Sequence, residues 1–281
     1  MMMTKPEFCI ITPTSYLEQF AVQSKSHLVL AHLVDTDEVY ADFYKKMSER
    51  GDFLMMDNSA YELKEPYSPD KLVKLGHKCG AHAIVLPDYP FKPSLRTIDA
   101  AIEMIGPVKE AGFKTFFVPQ SMSGQLDDWI DGYIWASENE HIDIIGMSIL
   151  GIPNALPNIH YAYARVVMSQ ILIERGLFNF DKHHHYLGLN SGVALEIPSL
   201  IKMNALDSVD SSGPLWSAIL GHEYSKQADS YQYIKKIKMP VDFHIKKTKD
   251  VETLNRIQHN INLTLELFDE NQVGEVWYAQ E

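Results

Sequence analysis

Short apolar runs alternate along the chain with segments long enough to be helices. The runs are FCIITP (8–13), LVLAHLV (28–34), FLMMDNSA (53–60), AIVLPDYP (83–90), TFFVPQS (115–121), IDIIGMSI (142–149), HYLGLNS (185–191) and ALDSVDSS (205–212). Most are nearly continuous in apolar character, which is the pattern of strands buried on both faces of a parallel sheet. The segments between them have room for crossover helices. DEVYADFYKKMSERG (37–51), SLRTIDAAIEMIGPVKEAG (94–112) and NIHYAYARVVMSQILIERG (158–176) each end on glycine, a C-cap signal, and Pro107 predicts a break or kink in the second. VETLNRIQHNINLTLELF (251–268) places Val251, Leu254, Ile257, Ile261, Leu265 and Phe268 on one stripe.

Eight strand-like runs alternating with helices predict an α/β fold, a single (β/α)8 TIM-like barrel, with an open doubly wound sheet as the alternative. No G-x-G-x-x-G follows the first strand and no P-loop occurs, so the usual nucleotide cradles are missing. Neither an internal repeat beyond the β/α rhythm nor a low-complexity linker divides the chain. Residues 1–281 are expected to form one domain, with 222–281 as helical and basic decoration.

Composition narrows the class. The chain has 281 residues, 46% of them hydrophobic, enough for one large core. No apolar run reaches the roughly 20 residues of a membrane helix, and MMMTKPEFCIITP lacks the long apolar stretch of a signal peptide. Two cysteines, Cys9 and Cys79, without a C-x-x-C, argue against a disulfide scaffold or a cysteine-rich zinc site. A cytoplasmic protein of a reducing compartment, with no membrane partner, is expected. The net charge of −12 argues against a globally basic nucleic-acid binder. Locally, however, Lys235, Lys236, Lys238, Lys246, Lys247 and Lys249 face Asp242 alone, which is either a solvated edge or a contact for a polynucleotide backbone.

In a barrel of this kind the chemistry sits at the C-terminal ends of the strands. Those ends carry Asp57, Asp88, Gln120, Gly146, Met147, Tyr186, Gly188 and Asp210. An acid there can be a plain helix N-cap. Several acids and an amide on one rim also suit chemistry at an anomeric carbon, with one carboxylate attacking and another handling protons. Asp and Gln can read the edge of a purine and an aromatic such as Tyr61 can stack on its face.

The order of these motifs resembles the tRNA-guanine transglycosylase superfamily, and most closely its DNA-acting members, which insert 7-deazaguanine bases into phage and bacterial DNA. The family's DSGGFQ looks like DNSAYE here, which implies Asp57 as general acid/base and Tyr61 as stacking aromatic. Its guanine-reading strand end resembles LPDYP and implies Asp88, and VQGG resembles VPQS and implies Gln120. GGLAVGE resembles GMSILGIP, implying a base-contacting loop from Gly146 through Met147 and Ser148 to Pro153. YLMGVG resembles HYLGLNS, with Tyr186 at the pocket wall, and DMFDCVLPTR resembles DSVDSSGPLW, placing the nucleophile at Asp210. The matched order spans roughly residues 53 to 216.

The departures point away from tRNA. No cysteine follows Cys79, so the family's three-Cys, one-His zinc site is absent, and its Thr-Arg after the last proline is replaced by Leu215-Trp216. DKHHHY (181–186) offers no metal site, because adjacent strand histidines point to alternate faces and lack a cysteine partner. The resemblance therefore implies exchange of guanine in DNA for a preQ0-like 7-deazaguanine through a covalent glycosyl-aspartate, without metal or redox cofactor. Asp210 attacks, Asp57 moves the proton at N9, and the amides of Ser211, Ser212 and Gly213 are candidate donors to Asp210. Asp207, three positions earlier, faces the other side of a regular strand and suits a structural role. The expected partners are DNA, the free 7-deazaguanine and released guanine. A second copy or an accessory protein would help such an acidic chain hold DNA. The alternatives are a zinc-less tRNA-guanine transglycosylase, a base-releasing N-glycosidase and a silent binding subunit.

Overall fold

A computed structural model describes residues 5–63, 67–189, 193–225 and 241–270. Eight strands follow in chain order: β1 Glu7–Ile10, β2 Ser26–Leu30, β3 Phe53–Asp57, β4 Ala83–Val85, β5 Lys114–Phe117, β6 Ile144–Gly146, β7 His183–Tyr186 and β8 Ser208–Ser211. Each falls within or overlaps one of the eight apolar runs, except that β2 begins two residues early and its run is cut short. All ladders are parallel, in the order β1-β8-β7-β6-β5-β4-β3-β2. The result is a nearly closed (β/α)8 barrel, with β1 and β2 at the two ends of the hydrogen-bonded order.

The helices are α1 Ala31–Thr36, α2 Glu38–Glu49, α3 Ala60–Leu63, α4 Pro69–Cys79, α5 Ser94–Glu110, α6 Leu126–Glu138, α7 Gly151–Ala155, α8 Tyr161–Glu174, α9 Val193–Lys202, α10 Gly213–Ile219 and α11 Val251–Glu270. Gly51, Gly112 and Gly176, which close three predicted helices, all have positive φ, the backbone a C-terminal cap requires. Three expectations are corrected. The apolar run 28–34 is not all strand, since α1 begins at Ala31. Helix α5 runs through Pro107 to Glu110, so the proline does not break it. On α11, Ile257, Ile261 and Phe268 are buried as the stripe predicts, but Val251 is 66% exposed at the helix start.

Strand alternation creates two cores. The larger packs the outer faces of the strands against the helices and includes Phe8, Leu54, Ile84, Phe117, Ile145, Tyr186 and Val209. The smaller fills the barrel with Cys9, Leu28, Met55, Val85, Phe116 and Ile144. Towards β7 and β8 the interior turns polar, for His185, Ser208 and Asp210 are bonded to one another there. Among the described residues, no helix is long and apolar enough to cross a membrane. Cys9 and Cys79 are buried free thiols.

Candidate active site

The C-terminal ends of the strands open into a cavity of about 740 Å³, a volume typical of small-molecule sites. Its lining includes Asp57, Asp88, Gln120, Gly188 and Asp210, five of the residues singled out at strand ends, and Ser148 from the loop that the resemblance implied. Asp57 ends β3 and Asp210 lies in β8, so the two carboxylates reach one cavity from well-separated strands.

Asp57 begins a tight turn. The Ser59 N–H donates to Asp57 Oδ2 at 3.1 Å and the Ala60 N–H to Asn58 Oδ1 at 2.8 Å. Ser59 is fully buried with φ 57°, a left-handed conformation uncommon for a residue other than glycine and worth attention near a site. Its hydroxyl accepts from the His32 N–H at 3.1 Å and lies 3.0 Å from His32 Nδ1, tying the turn to α1.

Asp88 is held between two amides. Asn58 Nδ2 donates to its Oδ1 at 2.8 Å and Gln120 Nε2 to its Oδ2 at 2.7 Å. Burial pushes the Asp88 carboxyl above its ordinary value, against the pull of the Asn58 and Gln120 bonds. Gln120 Oε1 is buried without a hydrogen-bond partner.

Asp210 is 5% exposed and is met from β7. The Gly188 N–H donates to Oδ1 at 2.8 Å, and His185 Nε2 lies 3.1 Å from the same oxygen. Gly188 has φ 71°, and a Cβ there would stand 3.0 Å from Ile149, so the turn that aims this amide favours glycine. The donors to Asp210 thus come from β7 and the turn after it. Of the proposed amides, Gly213 N–H is directed instead to Ser211 Oγ at 2.8 Å. Asp207 accepts from the His184 N–H at 2.7 Å and is raised by burial, a structural role at the other end of β8.

Three expected site residues are placed elsewhere. Tyr186 is fully buried on the outer face of β7, its hydroxyl 2.7 Å from Ser169 Oγ on α8. The next residues, Leu187 and Gly188, line the cavity in its place. Met147 packs its side chain into the outer core, and Gly146 sits so close to Phe116 and Val118 that a Cβ would come within 2.8 Å of both. Only Ser148 of that loop trio reaches the cavity, with its hydroxyl accepting from the Leu150 and Gly151 N–H groups. Tyr61 lies on α3 and its side chain is outside the described residues, as are Lys235, Lys236 and Lys238. Lys246 and Lys247 are exposed.

The sequence reading missed the rim. Val241, Asp242, Phe243 and His244 cover part of the mouth. This segment is fastened to the loop after β1, with the Thr14 N–H donating to the Phe243 carbonyl at 3.2 Å and Ser15 Oγ to the Ile245 carbonyl at 2.7 Å. Phe243 meets His32 edge-on at 6.4 Å between ring centres. Burial, reinforced by His244, lowers the His32 pKa. His185 and Asn58 were also missed. Strand alternation in HHHY put His183 and His185 on one face, but their partners on the neighbouring strand β8 were not visible in sequence. Among the described residues no cluster of three or more His, Cys, Asp or Glu could hold a metal ion. No protein-family model matches the chain, and no curated protein matches it significantly.

Proposed function

We propose that the chain is a DNA-guanine transglycosylase of the tRNA-guanine transglycosylase superfamily, exchanging guanine for a preQ0-like 7-deazaguanine. The observation that carries this reading is the convergence of Asp57 and Asp210 on one cavity that also holds the Asp88–Gln120 pair. Ser59 adds support, because its left-handed backbone stands at the first glycine of the family's DSGGFQ element.

In this reading an Asp210 oxygen attacks C1′ of a deoxyguanosine. The C1′–N9 bond breaks, and its electron pair leaves on N9, which takes a proton from Asp57. The incoming base then attacks C1′ through N9, returns its N9 proton to Asp57, and displaces the Asp210 carboxylate. Two inversions give net retention. Asp88 and Gln120 recognise the base edge, and no metal or redox cofactor enters the chemistry. A guanine inside a duplex must be flipped out to reach the cavity, at a cost of about a few kcal/mol. Lys246 and Lys247, beside the rim segment, contact the backbone. The enzyme works in the cytoplasm, the host's if phage-encoded, alone, as a homo-oligomer or with an accessory protein.

The test is base exchange with labelled guanine or 7-deazaguanine on duplex DNA, single-stranded DNA and unmodified tRNA, beside Asp210→Asn. Label should enter DNA, and the variant should lose at least about 10³-fold in rate, as expected when a nucleophile is removed. Label entering tRNA alone would move the chain to the RNA branch, and guanine released without incorporation would make it a hydrolase.

A further inference from the structure

The polar side of the barrel interior holds a row of side chains that the exchange reaction does not by itself require. His183 Nε2 lies 2.7 Å from Ser208 Oγ, Ser208 Oγ lies 2.7 Å from His185 Nδ1, and His185 Nε2 lies 3.1 Å from Asp210 Oδ1. Ser208 and His185 are essentially inaccessible to solvent, at 1% and 0% exposure, so these bonds are not readily exchanged for bonds to water. The edge of the Phe116–His185 ring pair, 5.5 Å between centres, closes the apolar side.

The valences of these groups restrict the row. An ionised carboxylate only accepts, so His185 must donate through Nε2. A neutral ring protonated at Nε2 has a bare Nδ1, which accepts the single Ser208 hydroxyl hydrogen. The Ser208 oxygen then accepts from His183 Nε2–H. Burial, with His185 and Lys114 adding to it, holds the His183 pKa down to about 3, so that ring is neutral at ordinary pH. With a neutral His185 ring all three bonds run one way, towards Asp210. The Gly188 N–H adds a second donor on the same Oδ1.

We infer that His185 is a positioning residue for Asp210, with its tautomer fixed by the Ser208–His183 pair so that Oδ1 is held and Oδ2 attacks. The inference rests on the transglycosylase reading for the identity of the attack. In the glycosyl ester, Oδ2 is bonded to C1′ and Oδ1 is the carbonyl oxygen. When the incoming N9 displaces the ester, the C1′–Oδ2 pair returns to the carboxylate and negative charge grows on Oδ1. The His185 and Gly188 donors already face that atom, the arrangement that stabilises developing charge. During the first step the carboxylate loses charge, so the same donors do not accelerate it. Loss of the His185 donor therefore slows the second half-reaction selectively.

The experiment joins two measurements on the whole protein. Ring nitrogen-15 NMR at neutral pH should find Nε2–H tautomers at both His185 and His183, and Ser208→Ala should release His183 into a tautomer mixture. Rapid-quench exchange on guanine-containing single-stranded DNA with labelled guanine should show His185→Phe slowing displacement of the covalent adduct by about 10²-fold, so that adduct accumulates. His185→Gln, which retains an amide donor, should recover part of the rate, and Ser208→Ala should give a smaller accumulation if His185→Phe does not fold. An Nδ1–H tautomer at His185 would overturn the chain whatever the activity. Correct tautomers with both half-reactions slowed equally would overturn the positioning role. Correct tautomers with no adduct from wild-type protein on DNA or tRNA would overturn the transglycosylase reading while the hydrogen-bond chain stands.

Discussion

Asp88 shows how one residue's surroundings set both its charge and its tolerance to change. Its two oxygens accept from the amides of Asn58 and Gln120, yet burial dominates and raises its pKa. A carboxyl whose folded pKa lies above its unfolded one stabilises the fold fully below the ordinary aspartate range and loses that contribution as pH rises through the folded value. Unfolding free energy from urea titrations should therefore contain a component that falls with rising pH, and Asp88→Asn should remove it. The variant can keep its bonds, since a flipped Gln120 would present its unpartnered Oε1 to the new amide. An unchanged pH slope in Asp88→Asn would show that Asp88 is not its source. The strand-end rule pointed to Asp57, Asp88, Gln120, Gly188 and Asp210, which line the cavity, because it needs only the end of each run. It misassigned the Met147 and Tyr186 side chains because reach into the cavity also depends on parity, and a one-residue step turns a side chain to the other face. His185 was not legible at all, since its partners Ser208 and Asp210 depend on the pairing of β7 with β8.

Most of the fold was legible at the scale of elements, because each buried strand and each glycine-capped helix is a local pattern. The first connection is the exception. Between β1 and β2 the chain makes two short 3-10 turns, Thr14–Tyr16 and Ala21–Gln23, in place of a crossover helix, and nothing in the apolar rhythm announces that. β1 and β2 also lack a mutual ladder. Ser24 bridges the seam from just before β2. Its hydroxyl donates to the Phe8 carbonyl at 3.0 Å and accepts from the Ile10 N–H at 3.0 Å. One buried side chain thus satisfies two backbone groups of β1. Ser24→Ala leaves both without that partner, and should cost about 1–3 kcal/mol in a urea unfolding experiment. Val209 and Ile145, apolar side chains on fully laddered strands, would lose packing but no backbone partner on truncation. A loss below about 0.5 kcal/mol for Ser24→Ala, the level of an ordinary surface change, would mean that the barrel seam does not depend on this bridge.

On the proposed transglycosylase reading, the whole molecule must reconcile a net charge of −12 with a polyanionic partner. The answer lies in where positive charge falls relative to the mouth. Residues 241–244 line the cavity and 245 is fastened to Ser15, so Lys246 and Lys247 follow directly from the rim and are exposed. The Thr248 N–H donates to the Tyr16 hydroxyl at 2.9 Å, which fixes the segment on the far side of the lysines as well. On that reading, two cations held beside the mouth by a bond on each side meet phosphates flanking a flipped nucleotide. Each phosphate contact releases condensed counterions and contributes about 0.7 to the slope of log affinity against log salt on single-stranded DNA. Lys246→Gln with Lys247→Gln should therefore weaken binding at low salt and reduce that slope by about 1.4, with thermal stability unchanged because both side chains are exposed. Lys45→Gln with Lys46→Gln, an exposed pair on α2, changes net charge equally and should leave the slope nearly unaltered. Fluorescence anisotropy of a labelled oligonucleotide across a salt series measures both. An equal loss in the two double variants would assign binding to overall charge, and no loss in either would place the strand on another face of the barrel.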